Sequence, residues 1–302
     1  MKSSCVVIST FKPNECFYLK QLKSIRSQNK IVSSVYVRDD SCENVAVTDD
    51  CSLGEPRPVS IKDNFGNLGP AKSFLELLRA VPDDFDYYAF CDQDDIWESD
   101  KLECAEAALR DINQPALFAS RLTLIDENDK IIGHSKIPKL LSFENALVEN
   151  TMPGCSMVLN RAARELILKS KPDHVAMHDS WCYLIVSAFG KIIYDQKPLV
   201  RYRQHGNNAI GMASGNIGRL KRRIARIIKG ERKFFVGMSQ ALEFEKYYGL
   251  NLSPEKAKIL TVFINSKKSF WSRLAYAFSA KVQRESFFDN ILLRVLFILG
   301  EY

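Results

Sequence analysis

The sequence predicts an α/β fold, in which a mainly parallel β-sheet is flanked by helices and followed by a basic helical extension. Short apolar runs alternate with segments of helical periodicity through the first half of the chain. The runs are nearly continuous, which is typical of strands buried on both faces of a sheet. The chain has 302 residues, enough for one large domain and an appendage.

Four strands are predicted in the first hundred residues, at 5–9, 35–37, 59–61 and 87–91. Helices are expected from about Asn14 and from Pro70. Proline suits the first helical position, because its missing N–H has no partner there in any case. This alternation favours a parallel sheet, in which ligands bind at the carboxyl ends of the strands.

The second half is predicted to add strands at 116–119, 122–125, 191–194 and 199–202, a helix at 162–170 and another that begins at His178. A tight turn is expected at the Gly-Cys-Ser sequence 154–156. The glycine-rich stretch 206–218 is expected to join two domains, at 1–211 and 212–302.

Charge is distributed unevenly along the chain. The net charge is +6, and residues 212–302 hold 17 basic and 7 acidic residues, so this region carries +10 and the remainder −4. Residues 217–228 have the pattern of a basic amphipathic helix, and residues 285–302 are more apolar. We expect these segments to contact an anionic membrane surface rather than nucleic acid, with packing on the core or another subunit as the alternative.

The cysteines and the hydropathy pattern indicate a cytosolic protein. The chain has eight cysteines and no CxxC pair, so we expect reduced thiols, several of them in the core. The first apolar run is too short for a secretory signal, and no run reaches the roughly 20 residues that span a membrane. We therefore expect a cytoplasmic location, peripheral on the inner face of the cell membrane.

An acidic motif directly follows the buried strand at 87–91, where Asp92, Asp94 and Asp95 surround Gln93. Crowded, buried carboxylates have raised pKa values unless a cation neutralises them. Magnesium prefers oxygen ligands and commonly binds one or two carboxylates together with substrate phosphates. The alternative is a solvated acidic turn that precedes a helix beginning near Ser99.

The sequences "CDQDDIW" and "YRQHGNN" make the chain resemble family 2 of the inverting GT-A-fold glycosyltransferases. The likeness is supported by Thr10-Phe11, Asp39-Asp40-Ser41, Asn67-Leu68-Gly69-Pro70 and His178-Asp179. More narrowly, the chain resembles the bacterial rhamnosyltransferase-like members that build cell-surface polysaccharide. The resemblance covers about residues 3–210 and implies a GT-A, Rossmann-like fold.

The resemblance also implies roles for individual residues. Those expected to bind the nucleotide sugar are Thr10, Phe11, Asp39, Asn67, Gly69, Lys72, Asp92 and Gln93. Those expected to hold Mg²⁺ or Mn²⁺ are Asp94, Asp92 and His205. The additional Asp95 leaves the assignment of the metal ligands open. The alternative for Asp39 is a simple turn, and the alternative for Lys72 is a solvated position on a helix.

An inverting enzyme needs a general base on the face of the sugar opposite the leaving group. The resemblance places that base at Asp179, although His178 stands where the family often has Glu. The alternative is that Asp179 is an ordinary acid at a helix N-terminus. Trp181 belongs either to the core or to the wall of the acceptor pocket, and Arg201 and Arg203 either bind phosphate or lie on an exposed strand.

The function implied is inverting transfer of a sugar, most specifically L-rhamnose from dTDP-rhamnose, to a surface-polysaccharide or lipid-linked glycan acceptor. A UDP-hexose-dependent transferase of the same fold is the first alternative. A sugar-phosphate nucleotidylyltransferase is disfavoured, because residues 10–14 contain no glycine-rich phosphate loop. A non-catalytic membrane adaptor leaves the acids at the strand ends unexplained.

Overall fold

The computed structural model describes residues 3–41, 55–204, 236–279 and 281–300. Contacts divide the chain into two compact units. The first comprises Met1–Ile137, Asn150–Lys171 and Met177–Arg203, and the second Pro138–Glu149, Pro172–Ala176 and Gln204–Tyr302. The predicted boundary between residues 211 and 212, the basic stretch 217–228 and the glycine-rich stretch 206–218 lie outside the described residues.

The first unit is built on a mixed β-sheet. Its strands are β1 (Ser4–Thr10), β2 (Ser34–Asp39), β3 (Pro58–Ser60), β4 (Tyr87–Cys91), β5 (Ile96–Trp97), β6 (Ala116–Ile125), β7 (Ile131–His134), β8 (Val158–Asn160) and β9 (Lys191–Arg203). The order is β3-β2-β1-β4-β8-β6-β9-β5, and β7 pairs with β6. The strands β3, β2, β1 and β4 are mutually parallel, as predicted, whereas β8 is antiparallel to both β4 and β6.

The helices of the described residues are α1 (Glu15–Arg26), α2 (Gly69–Ala80), α3 (Lys101–Leu109), α4 (Phe143–Ala146), α5 (Arg161–Leu168), α6 (His178–Phe189), α7 (Val236–Tyr248), α8 (Pro254–Asn265), α9 (Phe270–Ser279) and α10 (Phe287–Leu299). Local chemistry sets several of their ends. The Asn14 side chain accepts a hydrogen bond from the Phe17 amide at the start of α1, and Asn160 does the same for Ala163 at the start of α5.

In two places, two consecutive predicted strands are one continuous strand, so the predicted strand boundaries at 119, 122, 194 and 199 are wrong. The predicted strands at 116–119 and 122–125 are both part of β6, and those at 191–194 and 199–202 are both part of β9. Arg121 interrupts the first apolar run and Pro198 the second. The pairing of β6 with β9 shifts register on both sides of Arg121, so the strands absorb these residues in an irregularity.

The core of the first unit explains why the strands form where they do. All five residues of β4 are buried, and its alternate residues Tyr87, Ala89 and Cys91 pack with Val6 and Ile8 of β1 and with residues from α1 and α3. Burial on both faces requires apolar side chains at successive positions, which is the pattern seen in the sequence. The carboxyl ends of β1, β2 and β4 therefore lie at one edge of the sheet, where the polar residues begin.

The second unit is helical in its described part. Phe143 of α4 stacks on Phe244 of α7 at a ring separation of 5.6 Å. Phe263 of α8, Tyr276 of α9 and Phe297 of α10 form an aromatic cluster with ring separations of 4.7–5.9 Å. None of the helices in the described part of the chain combines the length and the apolar character that crossing a membrane demands.

Candidate active site

The strand ends bring the nucleotide-side residues together. Thr10 at the end of β1 lies in register with Asp39 at the end of β2, and the Thr10 carbonyl accepts a hydrogen bond from the Asp40 amide at 2.8 Å. Ile8 of β1 lies in register with Cys91, the last residue of β4. The acidic motif that follows Cys91 therefore begins beside the segment that holds Thr10.

Gln93 connects the segment after β1 to the segment after β4. Its side-chain oxygen accepts a hydrogen bond from the Phe11 amide at 2.8 Å, and its Nε2 donates to the Phe11 carbonyl at 3.3 Å. Phe11 is half exposed, and Lys12 has a positive φ of 44°. Gln93, expected to bind the nucleotide sugar, thus makes a two-point contact that fixes the backbone of Phe11.

Asp39 caps a turn as well as ending a strand. Its Oδ1 accepts hydrogen bonds from the amide and the hydroxyl of Ser41, at 3.0 and 2.7 Å. The turn that was the alternative for Asp39 is therefore observed. A role at the nucleotide remains compatible with it, because a carboxylate oxygen can accept more than one hydrogen bond.

The loop before α2 is held by buried charge. Asp40 pairs with the Arg38 guanidinium and accepts hydrogen bonds from the amides of Leu68 and Gly69, both at 2.8 Å. Arg38 also makes two hydrogen bonds with Asp63, at 2.7 and 3.1 Å. The hydrogen bond from Arg38 is the main reason that the pKa of Asp63 lies below its ordinary value.

Asn67, Gly69 and Lys72 occupy this same loop and the first turn of α2. The Asn67 side chain accepts a hydrogen bond from the Gly69 amide at 3.2 Å, and Gly69 has a φ of 73°, which favours glycine. Lys72 is exposed. The Gly69 amide already binds Asp40 and Asn67, so this loop is shaped mainly by its own side chains.

The acidic motif contains a compact group of possible metal ligands. Asp92, Asp95 and Cys155 each offer one ligand atom, and these atoms lie within 4.8 Å of one another. Asp95 is fully buried, its Oδ1 accepts a hydrogen bond from the Arg203 amide at 3.0 Å, and its Oδ2 has no hydrogen-bond partner among the described residues. The structure groups Asp92 with Asp95, whereas the sequence favoured Asp94 as the partner of Asp92.

Burial strongly perturbs the carboxylates of this motif. Burial first, and then the charges of Asp94 and Asp179, raise the pKa of Asp92 to about 7. Burial, followed by the charges of Asp94 and Asp92, raises the pKa of Asp95 well above its ordinary value. The influence of Asp179 on Asp92 shows that the predicted base and the acidic motif are close in space.

Lys101 provides an internal cation beside these acids. It is fully buried, its Nζ donates a hydrogen bond to the Cys155 carbonyl at 3.0 Å, and it lies 3.2 Å from the centre of the Trp97 ring. Burial lowers the pKa of Lys101 to about 7 despite the neighbouring acids. One such ammonium opposes several carboxylates, and the raised pKa values of Asp92 and Asp95 indicate that it does not neutralise them all.

The donor set fits a hard divalent cation, which the fold family implies. Asp92 and Asp95 supply carboxylate oxygens, and one buried oxygen of Asp95 lacks a hydrogen-bond partner among the described residues. Burial raises the pKa of the Cys155 thiol well above its ordinary value, so this residue stays protonated and is a poor ligand for Mg²⁺. Asp94 contributes charge to the same motif.

Arg203 holds the acidic loop from outside. Its Nε donates to the Asp94 carbonyl at 2.8 Å, its Nη1 donates to the Asp126 carbonyl at 3.1 Å, and its guanidinium stacks on Phe17 at 4.2 Å. Arg203 is fully buried. The expectation that Arg203 lies on an exposed strand is therefore wrong, because its guanidinium fastens the backbone of the loop.

Asp179 lies in the first turn of α6 and is held by amides. Its Oδ2 accepts a hydrogen bond from the Gly154 amide at 3.1 Å and its Oδ1 one from the Ser180 amide at 2.6 Å. Burial raises the pKa of Asp179 to about 6, although these donors and the Asn150 side chain favour the ionised form. A carboxylate with this pKa is ionised at neutral pH and can accept a proton from a hydroxyl.

Gly154 and His178 pack closely beside the predicted base. A Cβ on Gly154 would lie 2.6 Å from His178 Nε2 and 3.3 Å from Asp179 Cβ, so only glycine fits at this position. The His178 ring lies 4.1 Å from Phe74 and 4.8 Å from Phe90, and neither ring nitrogen has a hydrogen-bond partner among the described residues. Burial lowers the pKa of His178 to about 3.

Other predictions have definite outcomes. Trp181 is fully buried and donates to the Ser170 hydroxyl, so it belongs to the core. Arg201 pairs with Glu98 at 2.7 Å. All six cysteines of the described residues are free thiols, four of them buried, whereas Cys16 is exposed and Cys104 intermediate. His205, Cys42 and Cys51 lie outside the described residues.

Comparison with known proteins gives the site its context. No family model matches the chain. A curated relative from Shigella flexneri, named dTDP-rhamnosyl transferase RfbG, is 29% identical over 208 residues, which cover 65% of this chain and 71% of the relative. The similarity to this relative agrees with the resemblance to rhamnosyltransferase-like glycosyltransferases of family 2 that the sequence motifs indicate.

Solved structures agree on the fold of this chain. S. aureus TarS 1–349 in complex with UDP has a TM-score of 0.57 at 13% identity, covering 93% of this chain and 76% of that one. The complex of the same segment with UDP-GlcNAc has a TM-score of 0.52 at 13% identity, covering 100% and 93%. The predicted GT-A fold is confirmed.

Sequence reasoning missed Lys101 and the role of Arg203 as a clamp at this site, and it left Asp40 open between a site residue and a simple turn residue. Each is charged and buried. Lys101 and Arg203 bind backbone carbonyls that are distant in the sequence, and Asp40 binds amides at the start of α2. The only sequence signal was an isolated charge next to an apolar run, which is equally common on exposed helices and strands.

Proposed function

We propose that this glycosyltransferase moves L-rhamnose from dTDP-rhamnose, with inversion, onto a hydroxyl of a surface-polysaccharide or lipid-linked glycan. The name of the curated relative supports the donor. The acidic motif supports the chemistry, because an excess of negative charge at the ends of parallel strands suits a divalent cation and a diphosphate. The observation that carries the proposal is the closeness of Asp92 and Asp179.

In the proposed reaction Asp179 removes the proton from the acceptor hydroxyl. The hydroxyl oxygen attacks the anomeric carbon from the face opposite dTDP, the bond from that carbon to the diphosphate oxygen breaks, and dTDP leaves with its electron pair. The amides of Gly154 and Ser180 orient the Asp179 carboxylate for this step. The sugar is thereby transferred with inversion.

We propose that Asp92, Asp94 and His205 hold Mg²⁺ or Mn²⁺, with Asp95 as a further oxygen donor. When bound, the cation would offset the charge that grows on the leaving diphosphate. Thr10, Phe11, Asp39, Asn67, Gly69, Lys72 and Gln93 are proposed to bind the nucleotide and sugar.

We also propose that the enzyme acts at the cytoplasmic face of the membrane, as a peripheral protein. A lipid-linked acceptor would make this location necessary. The solved complexes of TarS with UDP and UDP-GlcNAc share the fold, so a UDP-hexose donor is the second candidate.

A panel of nucleotide sugars tests the donor. The enzyme is incubated with Mn²⁺ and with dTDP-rhamnose, UDP-glucose, UDP-galactose or UDP-GlcNAc, and release of the nucleoside diphosphate is measured with and without acceptor glycan. We expect release from dTDP-rhamnose to exceed that from the UDP sugars by at least about tenfold, since one lost polar contact is worth this much. Preferential release from a UDP sugar would refute the rhamnose donor and keep the inverting mechanism.

A further inference from the structure

The second unit exposes large apolar side chains on two adjacent helices. On α9, Trp271 is 74% exposed and Phe278 is 79% exposed, and they lie seven residues apart on one helical stripe. The exposed residues of α10 are Phe287, Phe288, Ile291, Val295 and Leu299, of which the last four follow the same helical repeat. Monomeric soluble domains seldom present such stripes without a partner.

The opposite face of each helix is already packed. Leu293, Leu296 and Phe297 of α10 are buried, and the Phe297 ring stacks on Tyr276 of α9 at 4.7 Å. The Arg294 guanidinium donates to the Ala277 carbonyl, which ties the two helices together. The fold of the second unit therefore uses only one side of α10, and the exposed stripe contributes nothing to this packing.

Positive charge predominates along the segment that contains α9. Between Lys256 and Arg284 the sequence has seven basic residues and no acidic residue, although Glu285 and Asp289 follow at the start of α10. Lys267 and Lys268 are exposed and lie just before the exposed pair Phe270 and Trp271. Lysine beside tryptophan and phenylalanine is typical of segments at the boundary between lipid headgroups and acyl chains.

We propose that α9 and α10 dock on an anionic lipid leaflet through these two stripes, with Trp271 and Phe288 entering the boundary between headgroups and acyl chains. Lys267 and Lys268 beside the exposed aromatic residues complement an anionic lipid surface, whereas a second copy of the chain would bring the same positive charges to this surface, so the charge favours lipid as the occupant. The inference rests on the proposed function for its purpose, because docking would bring the active site to a lipid-linked acceptor.

The tryptophans allow a direct test. The chain has three, and Trp97 and Trp181 are buried, so Trp271 alone is exposed. The full-length protein is mixed with vesicles of phosphatidylcholine alone or with 30% phosphatidylglycerol, each with and without brominated acyl chains. We expect a blue shift of the emission and quenching by the brominated lipid with the anionic vesicles. The Trp271→Phe variant should bind and show neither signal.

A matched pair of variants separates this surface from general stickiness. Phe278→Ser with Phe288→Ser should lower the vesicle partition coefficient by roughly thirtyfold or more, because two aromatic anchors are lost from the membrane-facing stripes. Ile131→Ser with Ile132→Ser removes two exposed apolar residues of β7 in the first unit and should leave partitioning unchanged. Thermal unfolding of both variants checks that they are folded.

Several outcomes would overturn the inference. Vesicle binding without quenching of Trp271 would place the contact elsewhere in the chain. A blue shift without vesicles that grows with protein concentration would identify a second copy as the partner. Transfer to a water-soluble acceptor glycoside is assayed separately: a chain that docks on vesicles and transfers no sugar refutes the proposed function and leaves the docking surface intact.

Discussion

Asp40 and Asp95 are both buried acids at strand ends of one sheet, and the protein neutralises them differently. Asp40 pairs with the Arg38 guanidinium and accepts hydrogen bonds from two amides. Asp95 receives one amide hydrogen bond from Arg203, and its second oxygen has no hydrogen-bond partner in the described part of the chain. The charge of Asp40 is therefore fully matched within the fold, whereas Asp95 can still bind a ligand.

The comparison shows how buried charge distinguishes framework from site. Arg38 matches Asp40 and Asp63 with a rigid, always charged fork, which suits a permanent ion pair. Lys101 faces several acids at once, and burial brings its own pKa down to about 7. A site of this kind is stable enough to fold and still favours binding of an additional cation.

The largest expected effect is the loss of catalysis in Asp179→Asn. The asparagine side chain can still accept the hydrogen bond from the Gly154 backbone amide. It cannot remove the proton from the acceptor hydroxyl, so turnover should fall by about 10²- to 10⁴-fold. Initial rates with dTDP-rhamnose and acceptor measure this. The exposed acid Asp111, changed to Asn, is the matched control. Undiminished turnover in Asp179→Asn would exclude this residue as the base.

Arg38→Met tests the framework side of the comparison. Removing the guanidinium leaves Asp40 buried without its counter-charge, so the free energy of unfolding should fall by about 3–5 kcal/mol. Urea denaturation measures this at pH 7. Arg57→Met, at an exposed arginine paired with Glu55, should change stability by less than about 1 kcal/mol. Equal stability of the two variants would mean that the Asp40 group is not a framework element.

Asp92 of the acidic motif and Asp63, which is paired with Arg38, predict opposite dependences of the free energy of unfolding on pH. The folded-state pKa of Asp92, about 7, lies above its ordinary value of 3.8, so without metal its contribution to stability falls as pH rises through this window. The pKa of Asp63 is lowered, so its contribution is lost as pH falls below about 3.8. Urea titrations of the wild type and Asp92→Asn in EDTA measure the difference.

Asp92→Asn should show a smaller fall in stability between about pH 4 and pH 7 than the wild type, because Asp95 and Asp179 still have raised pKa values, and saturating Mn²⁺ should reduce the fall in the wild type. Identical pH profiles for the wild type and Asp92→Asn in EDTA would show that Asp92 ionises normally and that the acidic motif carries no excess charge.

The smallest expected effect is at His178, a third buried polar group of the site. Its folded-state pKa of about 3 lies below the ordinary 6.5, so its contribution to stability is present above pH 6.5 and is lost as pH falls toward 3. His178→Leu should abolish this component and gain about 1 kcal/mol at pH 7, because two unpartnered nitrogens leave the core. A less stable variant at pH 7 would indicate a hydrogen-bonded histidine.

The sequence was most informative where burial is uniform. The strands β1 and β4 could be predicted because both faces of each are buried, so almost every residue is apolar. The strands β6 and β9 were divided in the prediction because Arg121 and Pro198 interrupt their apolar runs. Only the pairing between the two strands shows that an irregularity absorbs these residues.

The residues of the acidic motif and Asp179 could be predicted from the sequence, but the long-range hydrogen bonds that hold the site could not. The acidic motif and the position of Asp179 beside it follow from motifs. The clamp of Arg203 on Asp94 spans 109 residues of sequence and the hydrogen bond from Lys101 to Cys155 spans 54, so no local pattern marks them. Which acid is matched by a cation depends on such distant partners.

Binding of dTDP with and without Mn²⁺ tests most directly whether the unmatched acids hold a cation and the donor diphosphate. Calorimetric titrations compare the wild type, Asp92→Asn and the control Asp111→Asn. We expect EDTA to weaken dTDP binding at least about tenfold in the wild type and the control, and Asp92→Asn to bind weakly in both conditions. Equal dTDP affinity in EDTA and Mn²⁺ for the wild type would contradict this explanation of the site.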